Sequence, residues 1–143
     1  MVNNYQFGPL AILQLPLLNK FYKQQKARGK AKGNEQLYVA RIASGEIVGG
    51  ARLADISGCC FLTGVQVDTS HQRKGVAKAL VKLCIKDLNE SGYTFPYEHL
   101  AGLYQALGFV EVDGEDLPNP LKTRFARYQG QGRGILAMVY NVG

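Results

Sequence analysis

The hydrophobic period of the chain changes abruptly within residues 61–89, and one short loop separates the two patterns. Phe61 to Asp68 (FLTGVQVD) reads as a strand. From Gly75 to Asn89 the apolar positions Val76, Leu80, Leu83, Cys84 and Leu88 form a core-facing helical stripe instead. Asp68 to His71 and then Gln72 to Ala77 must carry the backbone from a strand end directly into a first helical turn. That junction restricts the folds open to the chain. It places a helix N-terminus, with its unpaired N–H groups and positive dipole end, at the rim of a sheet.

The residues of the junction suit an anion. Gly75 and Ala77 carry little or no side chain, so a ligand can approach the main chain closely, and Arg73 and Lys74 add positive charge at the same point. Together these make a cradle for a pyrophosphate. A glycine in a first helical turn is also a common packing concession, so the residues alone leave both readings open. The pattern is neither GxxxxGK[ST] nor GxGxxG, which disfavours a nucleoside triphosphate or a dinucleotide. Lys74, Lys78, Lys82 and Lys86 recur every four residues. Lys82 and Lys86 read as solvated surface, whereas Lys74 and Lys78 lie near enough to the helix start to meet a ligand.

The remaining elements follow from period and turn chemistry. Leu10, Leu13, Leu17, Leu18, Phe21 and Tyr22 make a helical stripe over Leu10 to Lys26, which Pro16 is expected to kink or divide. Lys26 to Gly33 is basic and glycine-bearing, a mobile linker or a flap over substrate or phosphate. Gln36 to Ala43 and Glu46 to Asp55 read as strands joined by a two-residue turn, Ser44-Gly45, and Ser57-Gly58 marks the next turn. Three strands with short connections imply an antiparallel meander. After the long helix, Gly92 is a stop, Tyr93 to Tyr97 a short strand, and Glu98 to Leu107 a short helix ended by Gly108. Phe109 to Val112 is a strand, Asp113 to Pro120 a polar loop, Leu121 to Tyr128 a basic helix and Ile135 to Val142 a final strand. Strands and helices in mixed order indicate an α+β fold with one central sheet, in a single domain over residues 1–143.

Two segments carry a family resemblance. Gln72-x-x-Gly75-x-Ala77 resembles the Q/R-x-x-G-x-G/A acyl-CoA loop of the GNAT superfamily of N-acetyltransferases. As in that family, it opens a long amphipathic helix and follows an apolar strand, with Val67 five residues before Gln72. Leu103-Tyr104-Gln105-Ala106-Leu107-Gly108-Phe109 resembles the family's LYxxLGF segment at the right distance downstream. The similarity spans residues 36 to 112 and, more loosely, the last strand.

The resemblance implies a single mixed, mostly antiparallel sheet flanked by helices, and acetyl transfer from acetyl-CoA to an amine acceptor in a ternary complex. Gln72 and the backbone amides of Arg73, Lys74, Gly75, Val76, Ala77 and Lys78 would hold the CoA pyrophosphate. The edge of the Val65–Val67 strand would pair with the pantetheine arm as a peptide adds to a sheet edge. The family sheet splays apart between this strand and the Tyr93–Tyr97 strand, where a backbone N–H polarises the acyl carbonyl. Tyr104 would protonate the departing thiolate, since a phenol of pKa about 10 keeps its proton at neutral pH.

This sequence departs from the family at two positions that touch the acceptor side. Where some members carry a glutamate base on the strand before the loop, this chain has Phe61. Glu98, His99 or a water relay are the remaining candidates for removing the amine proton. Where the family often has asparagine seven residues before the motif tyrosine, this chain has Tyr97, which implies an aromatic pocket floor. The family's first strand is short here, within Met1 to Gly8 at most.

Composition supplies the setting. The 143 residues are 46% hydrophobic and 20% charged, without an apolar run near the roughly 20 residues of a membrane span. Met1-Val2-Asn3-Asn4 has no secretory character, and three cysteines, two of them adjacent, suit neither a disulfide framework nor zinc. Those features point to the cytoplasm and to no metal. The net charge of +6 attracts anions of any kind. Two further readings compete: a CoA-binding regulatory module without catalysis, suggested by the missing base, and a nucleic-acid binder, suggested by the charge. No nucleic-acid motif is present, which disfavours the last. A homodimer through the last strand or the helix faces is compatible with the sequence.

Overall fold

The computed structural model describes residues 4–142. The described residues form seven strands and four α-helices: β1 (Gln6–Leu10), α1 (Leu15–Gln24), β2 (Gln36–Arg41), β3 (Ile47–Ile56), β4 (Cys59–Val67), α2 (Val76–Lys86), β5 (Gly92–Thr94), α3 (Ala101–Ala106), β6 (Val110–Val112), α4 (Asn119–Gly130) and β7 (Ala137–Tyr140). The strands form one sheet in the order β1-β2-β3-β4-β5-β7-β6. This is the mixed, mostly antiparallel α+β architecture expected from the sequence. The chain divides into two compact units, Met1–Ala54 with Leu62–Asp87 and Asp55–Phe61 with Leu88–Gly143. Among the described residues, no helix is long and apolar enough to cross a membrane.

The first unit is built on β1, β2 and β3. β1 pairs antiparallel with β2 from Gln6↔Arg41 to Leu10↔Leu37, and β2 with β3 from Gln36↔Leu53. β1 is the short first strand sought in residues 1–8. It extends to Leu10, which is buried at the strand's end and not part of a helix, while Met1 to Asn3 lie outside the described residues. α1 therefore begins at Leu15. Pro16 stands in its first turn, where the missing N–H costs nothing, so the proline starts the helix and does not kink it. Of the expected stripe, Leu18, Phe21 and Tyr22 are buried, whereas Leu13 is 91% exposed and Leu17 is exposed as well.

Two glycines of β3 let the helices of this unit approach the strand. An added Cβ on Gly50 would meet Leu18 Cδ1 of α1 at 2.6 Å, and one on Gly49 would meet Leu80 Cδ1 of α2 at 3.0 Å. The β2–β3 connection is one residue longer than the sequence suggests. Gly45 N donates to Ile42 O at 2.8 Å and Ile42 N to Glu46 O at 3.1 Å, which leaves Ala43-Ser44-Gly45 as a three-residue loop. A two-residue turn of the favoured hairpin type would need a left-handed backbone at Ser44; here only Gly45 takes one. The basic segment after α1 is fastened. Asn19 accepts from Ala31 N at 2.6 Å and donates to Ala31 O at 3.1 Å, with Ala31 buried.

In the second unit β7 pairs antiparallel with β5 (Tyr93↔Val139) and with β6 (Glu111↔Met138). Phe61, Leu117, Leu121, Phe125, Ile135 and Ala137 form its core, with Phe95 and Tyr128 packed against it. Phe95 meets Phe61 at 4.8 Å and Phe125 at 5.0 Å between ring centroids. α4 starts earlier and ends later than the sequence suggests; Pro120 in its first turn is compatible with a start at Asn119.

The burial difference along α1 sets a stability test. Leu18→Ala should cost about 2–5 kcal/mol, whereas Leu13→Ala should stay within about 0.5 kcal/mol of wild type, both read from urea unfolding midpoints.

Candidate active site

The loop between β4 and α2 is held on its approach side and left open at its tip. Asp68 N donates to Val48 O at 2.8 Å, where the β2–β3 register skips a residue. The Asp68 carboxylate accepts from Gln25 Nε2 at 3.0 Å and from Ser70 N at 3.1 Å. These donors, the Gln25 amide foremost, hold its pKa below the ordinary carboxylate value. The Tyr5 hydroxyl and His71 Nδ1 share a 2.8 Å hydrogen bond. Gln72, expected among the anion ligands, turns its side chain back and donates from Nε2 to Val67 O at 3.0 Å. Its visible role is to brace the loop.

Beyond Gln72 the backbone alternates in handedness. Arg73 has φ 63° and Gly75 φ 83°, both left-handed, and Gly75 is the N-cap of α2. No side chain caps this helix, and no acidic residue stands in its first turn. The first N–H groups of a helix have no intrahelical acceptor, and left-handed residues in such a turn direct successive N–H groups into one concavity. Arg73, Lys74, Gly75 and Lys78 are exposed around it, Ala77 is half-buried, and Val76 is buried under the turn. The residues present therefore fit a polyphosphate, and the left-handed backbone at Gly75 favours glycine there.

Upstream, β4 contains a feature that the sequence did not single out. Gly64 has φ 68°, a left-handed residue inside a strand one position before the half-buried Val65. Tyr22 of α1 donates its hydroxyl to Gly64 O at 2.8 Å. A Cβ on Gly64 would lie 2.6 Å from Arg52 Nη1 and 2.7 Å from Tyr22 Oη, so both backbone and space require glycine. Arg52 is buried and reaches Glu35 with Nε 3.0 Å from Oε1, while its guanidinium lies 5.2 Å from the Tyr22 ring centroid. The Nε–H makes no aligned hydrogen bond, so charge holds this pair more than direction does. Burial pushes the Tyr22 phenol well above its ordinary pKa, against the opposing pull of Arg52, and keeps it a donor. A polar residue within a strand gives no sign of burial in the sequence. Only Gly64, a glycine inside a strand, carried a signal for this cluster.

The second unit holds the other expected residues. Tyr104 lies in α3 and is buried, its ring at right angles to Phe109 with centroids 5.5 Å apart. Its carbonyl accepts from Phe109 N at 3.1 Å, so the backbone turn that closes α3 also fixes the tyrosine. Tyr97 is 40% exposed and stacks on His99 at 6.1 Å, and Glu98 and His99 are exposed on a single 3₁₀ turn. Phe61, which has no ionisable group to act as a base, lies in the core. Cys59 and Cys60 are free thiols whose pKa is pushed up by burial and by Glu90 and Asp55, which disfavours a thiolate nucleophile.

Comparison with known proteins adds the following. Residues 33–111, more than half of the chain, match the family model for an acetyltransferase (GNAT) domain. No curated protein matches the chain. Among solved structures it is similar to Rv2747 from Mycobacterium tuberculosis, solved in complex with CoA, at 17% identity and a TM-score of 0.71 over 96% of this chain and 99% of that one. It is similar to the ribosomal-protein-S18-alanine N-acetyltransferase of Escherichia coli, at 17% identity and 0.68 over 97% and 94%. A GNAT-family acetyltransferase from Staphylococcus aureus gives 15% and 0.69 over 97% and 99%.

The brace on β4 is testable apart from activity. Tyr22→Phe leaves the Gly64 carbonyl without its donor and should cost about 1–3 kcal/mol in chemical unfolding.

Proposed function

The chain belongs to the GNAT acetyltransferase family, and on that premise we propose that it is a cytoplasmic N-acetyltransferase moving an acetyl group from acetyl-CoA to an amine acceptor by direct attack in a ternary complex. The observation that carries the reading is the uncapped start of α2, with left-handed Arg73 and Gly75 before it. The backbone N–H groups from Arg73 to Lys78 bind the pyrophosphate, and Gln72 keeps the loop against Val67. Val65 and Val67 present the strand that the pantetheine arm follows. In the transfer the acceptor nitrogen bonds to the acyl carbon as the carbon–sulfur bond breaks. The amine proton leaves through Glu98, His99 or water, and Tyr104 gives its phenolic proton to the sulfur. Free cysteines support a reducing compartment.

A second reading, a CoA-binding module without catalysis, is favoured by one observation: Phe61 is buried in the core where some relatives hold a base. Turnover separates the two.

Acetyl-CoA at 100 times its Kd should raise wild-type stability by about 2.7 kcal/mol in thermal melting. Gly75→Glu should fold and show no shift. Lys78→Glu adds an acidic residue to the first turn of α2, worth about 0.3–1 kcal/mol to the helix, yet should weaken acetyl-CoA; stability up and affinity down together would be hard to explain otherwise. No shift in a well-folded wild type would overturn the reading.

With an acceptor in hand, Tyr104→Phe should lower kcat about 10²- to 10⁴-fold while the acetyl-CoA-induced shift persists. Unchanged kcat would remove Tyr104 from proton transfer, and absence of any turnover beside intact binding would favour the regulatory module.

A further inference from the structure

The stretch from Arg124 of α4 to Arg133 just beyond its end gathers positive charge around one phenol. Arg124 Nη1 donates to the Tyr128 hydroxyl at 3.0 Å. Arg127 and Arg133 lie over the Tyr128 ring, their guanidinium carbons 5.4 Å and 4.0 Å from its centroid. Arg133 is brought there by the turn that ends the helix: Gly132 is left-handed and Arg133 N donates to Tyr128 O at 3.3 Å. The ring itself is anchored, packing on the second unit's core and edge-on to Phe95 at 6.3 Å.

One arginine on a tyrosine face is ordinary, and the negative end of the helix dipole accounts for one cation such as Arg127 in the last turn. Three are more than either effect explains. Among the described residues, none of Arg124, Arg127 and Arg133 makes an ion pair with a carboxylate. Arg133 Nε is buried without a hydrogen-bond acceptor, so the chain itself leaves this guanidinium under-satisfied. The phenol oxygen already accepts from Arg124, which leaves its proton to donate outward. Although burial opposes it, the arginines hold the Tyr128 pKa below the ordinary phenol value, which makes that proton the stronger donor.

We infer that Arg124, Arg127, Arg133 and the Tyr128 hydroxyl form a binding site for a phosphate monoester, independent of acetyl transfer. Guanidinium groups supply forked N–H donors matched to phosphate oxygens, and a dianion balances this excess of charge better than one carboxylate does. The site lies wholly within the second unit and uses none of the residues assigned to the acyl-CoA loop.

Calorimetric titration of the full chain with inorganic phosphate tests this. In Gly75→Glu, where the anion site at the start of α2 is blocked, one phosphate should still bind, and Arg127→Gln and Arg133→Gln in that background should each weaken it about tenfold, the size of one charge-assisted hydrogen bond. Lys122→Gln removes the same charge from the same helix but lies outside the cluster, and should leave binding unchanged. Bound phosphate should also move the ionisation of Tyr128 to higher pH, because a neighbouring anion disfavours the phenolate. That shift is read as tyrosinate absorbance against Tyr128→Phe. Equal losses in Lys122→Gln and Arg127→Gln would mean only a general field and sink the inference. Displacement of phosphate by acetyl-CoA but not by its dephospho form would assign the cluster to CoA and overturn a separate site. Tighter binding of a polynucleotide with a steep salt dependence, and no movement of Tyr128, would overturn it in favour of nucleic acid.

Discussion

Arg52 carries a charge into the interior of the first unit, and several elements of that unit converge on it. A buried guanidinium is tolerated only with a counter-ion and donors in place. Glu35, just ahead of β2, provides the counter-ion at 3.0 Å, and the Tyr22 ring provides a face. Tyr22 in turn fixes the Gly64 carbonyl, so the left-handed residue inside β4 is tied to α1. Removing one partner leaves another stranded in a dry environment. The geometry of β4 ahead of Val65 is thus decided by residues on α1 and β3 and by the approach to β2, far from it in sequence.

The start of α2 follows the opposite rule. The approach as far as Gln72 is tied down: Asp68 by Gln25 and Ser70, Gln72 by Val67, His71 by Tyr5. After it, the helix gives up a side-chain cap and acidic residues in its first turn, each worth up to about 1 kcal/mol. A rigid approach with an open end is the arrangement expected of a site whose missing interactions come from a ligand. The cost in folding stability and the capacity to bind have the same origin.

Much of this was legible because it rests on local rules. The switch in hydrophobic period located β4 and α2, while Gly75 and Ala77 alone left a cradle or a packing concession open, and the resemblance of Gln72 to Ala77 to the GNAT loop favoured the cradle. Ser57-Gly58 was legible as a turn for the same reason; both residues are left-handed, as a two-residue hairpin requires. Failures came where a residue type serves two purposes. Pro16 breaks a helix interior but suits a first turn, and only the position of Leu10 in β1 decides between them. Leu13 matched the stripe in spacing yet precedes the helix. Lys26 to Gly33 looked mobile by composition, while the bond pair that fastens it belongs to Asn19, outside the segment. Arg52 and Glu35 gave no signal, because a buried charge is defined by its neighbours across the fold, and Tyr22 was legible only as a core position of the helical stripe.

Net charge illustrates the same division. The value of +6 states that anions are attracted but not where. In the structure the carboxylates are spent unevenly. Glu35 neutralises Arg52 inside the first unit, Glu115 meets Lys122 on the surface of the second, and Asp68 caps a 3₁₀ turn. Two groups of cations stand close to features that bear on anions: Arg73 and Lys78 around the start of α2, and Arg124, Arg127 and Arg133 around Tyr128. At α2 the cations of Arg73 and Lys78 add to the dipole and reinforce a backbone site. At α4 the dipole has the reverse sign and can offset only part of three arginines, so side chains rather than backbone amides must make any contact there. The two basic regions therefore differ in kind: at the start of α2 unpaired backbone N–H groups are available and the cations reinforce them, whereas around Tyr128 only side chains are available.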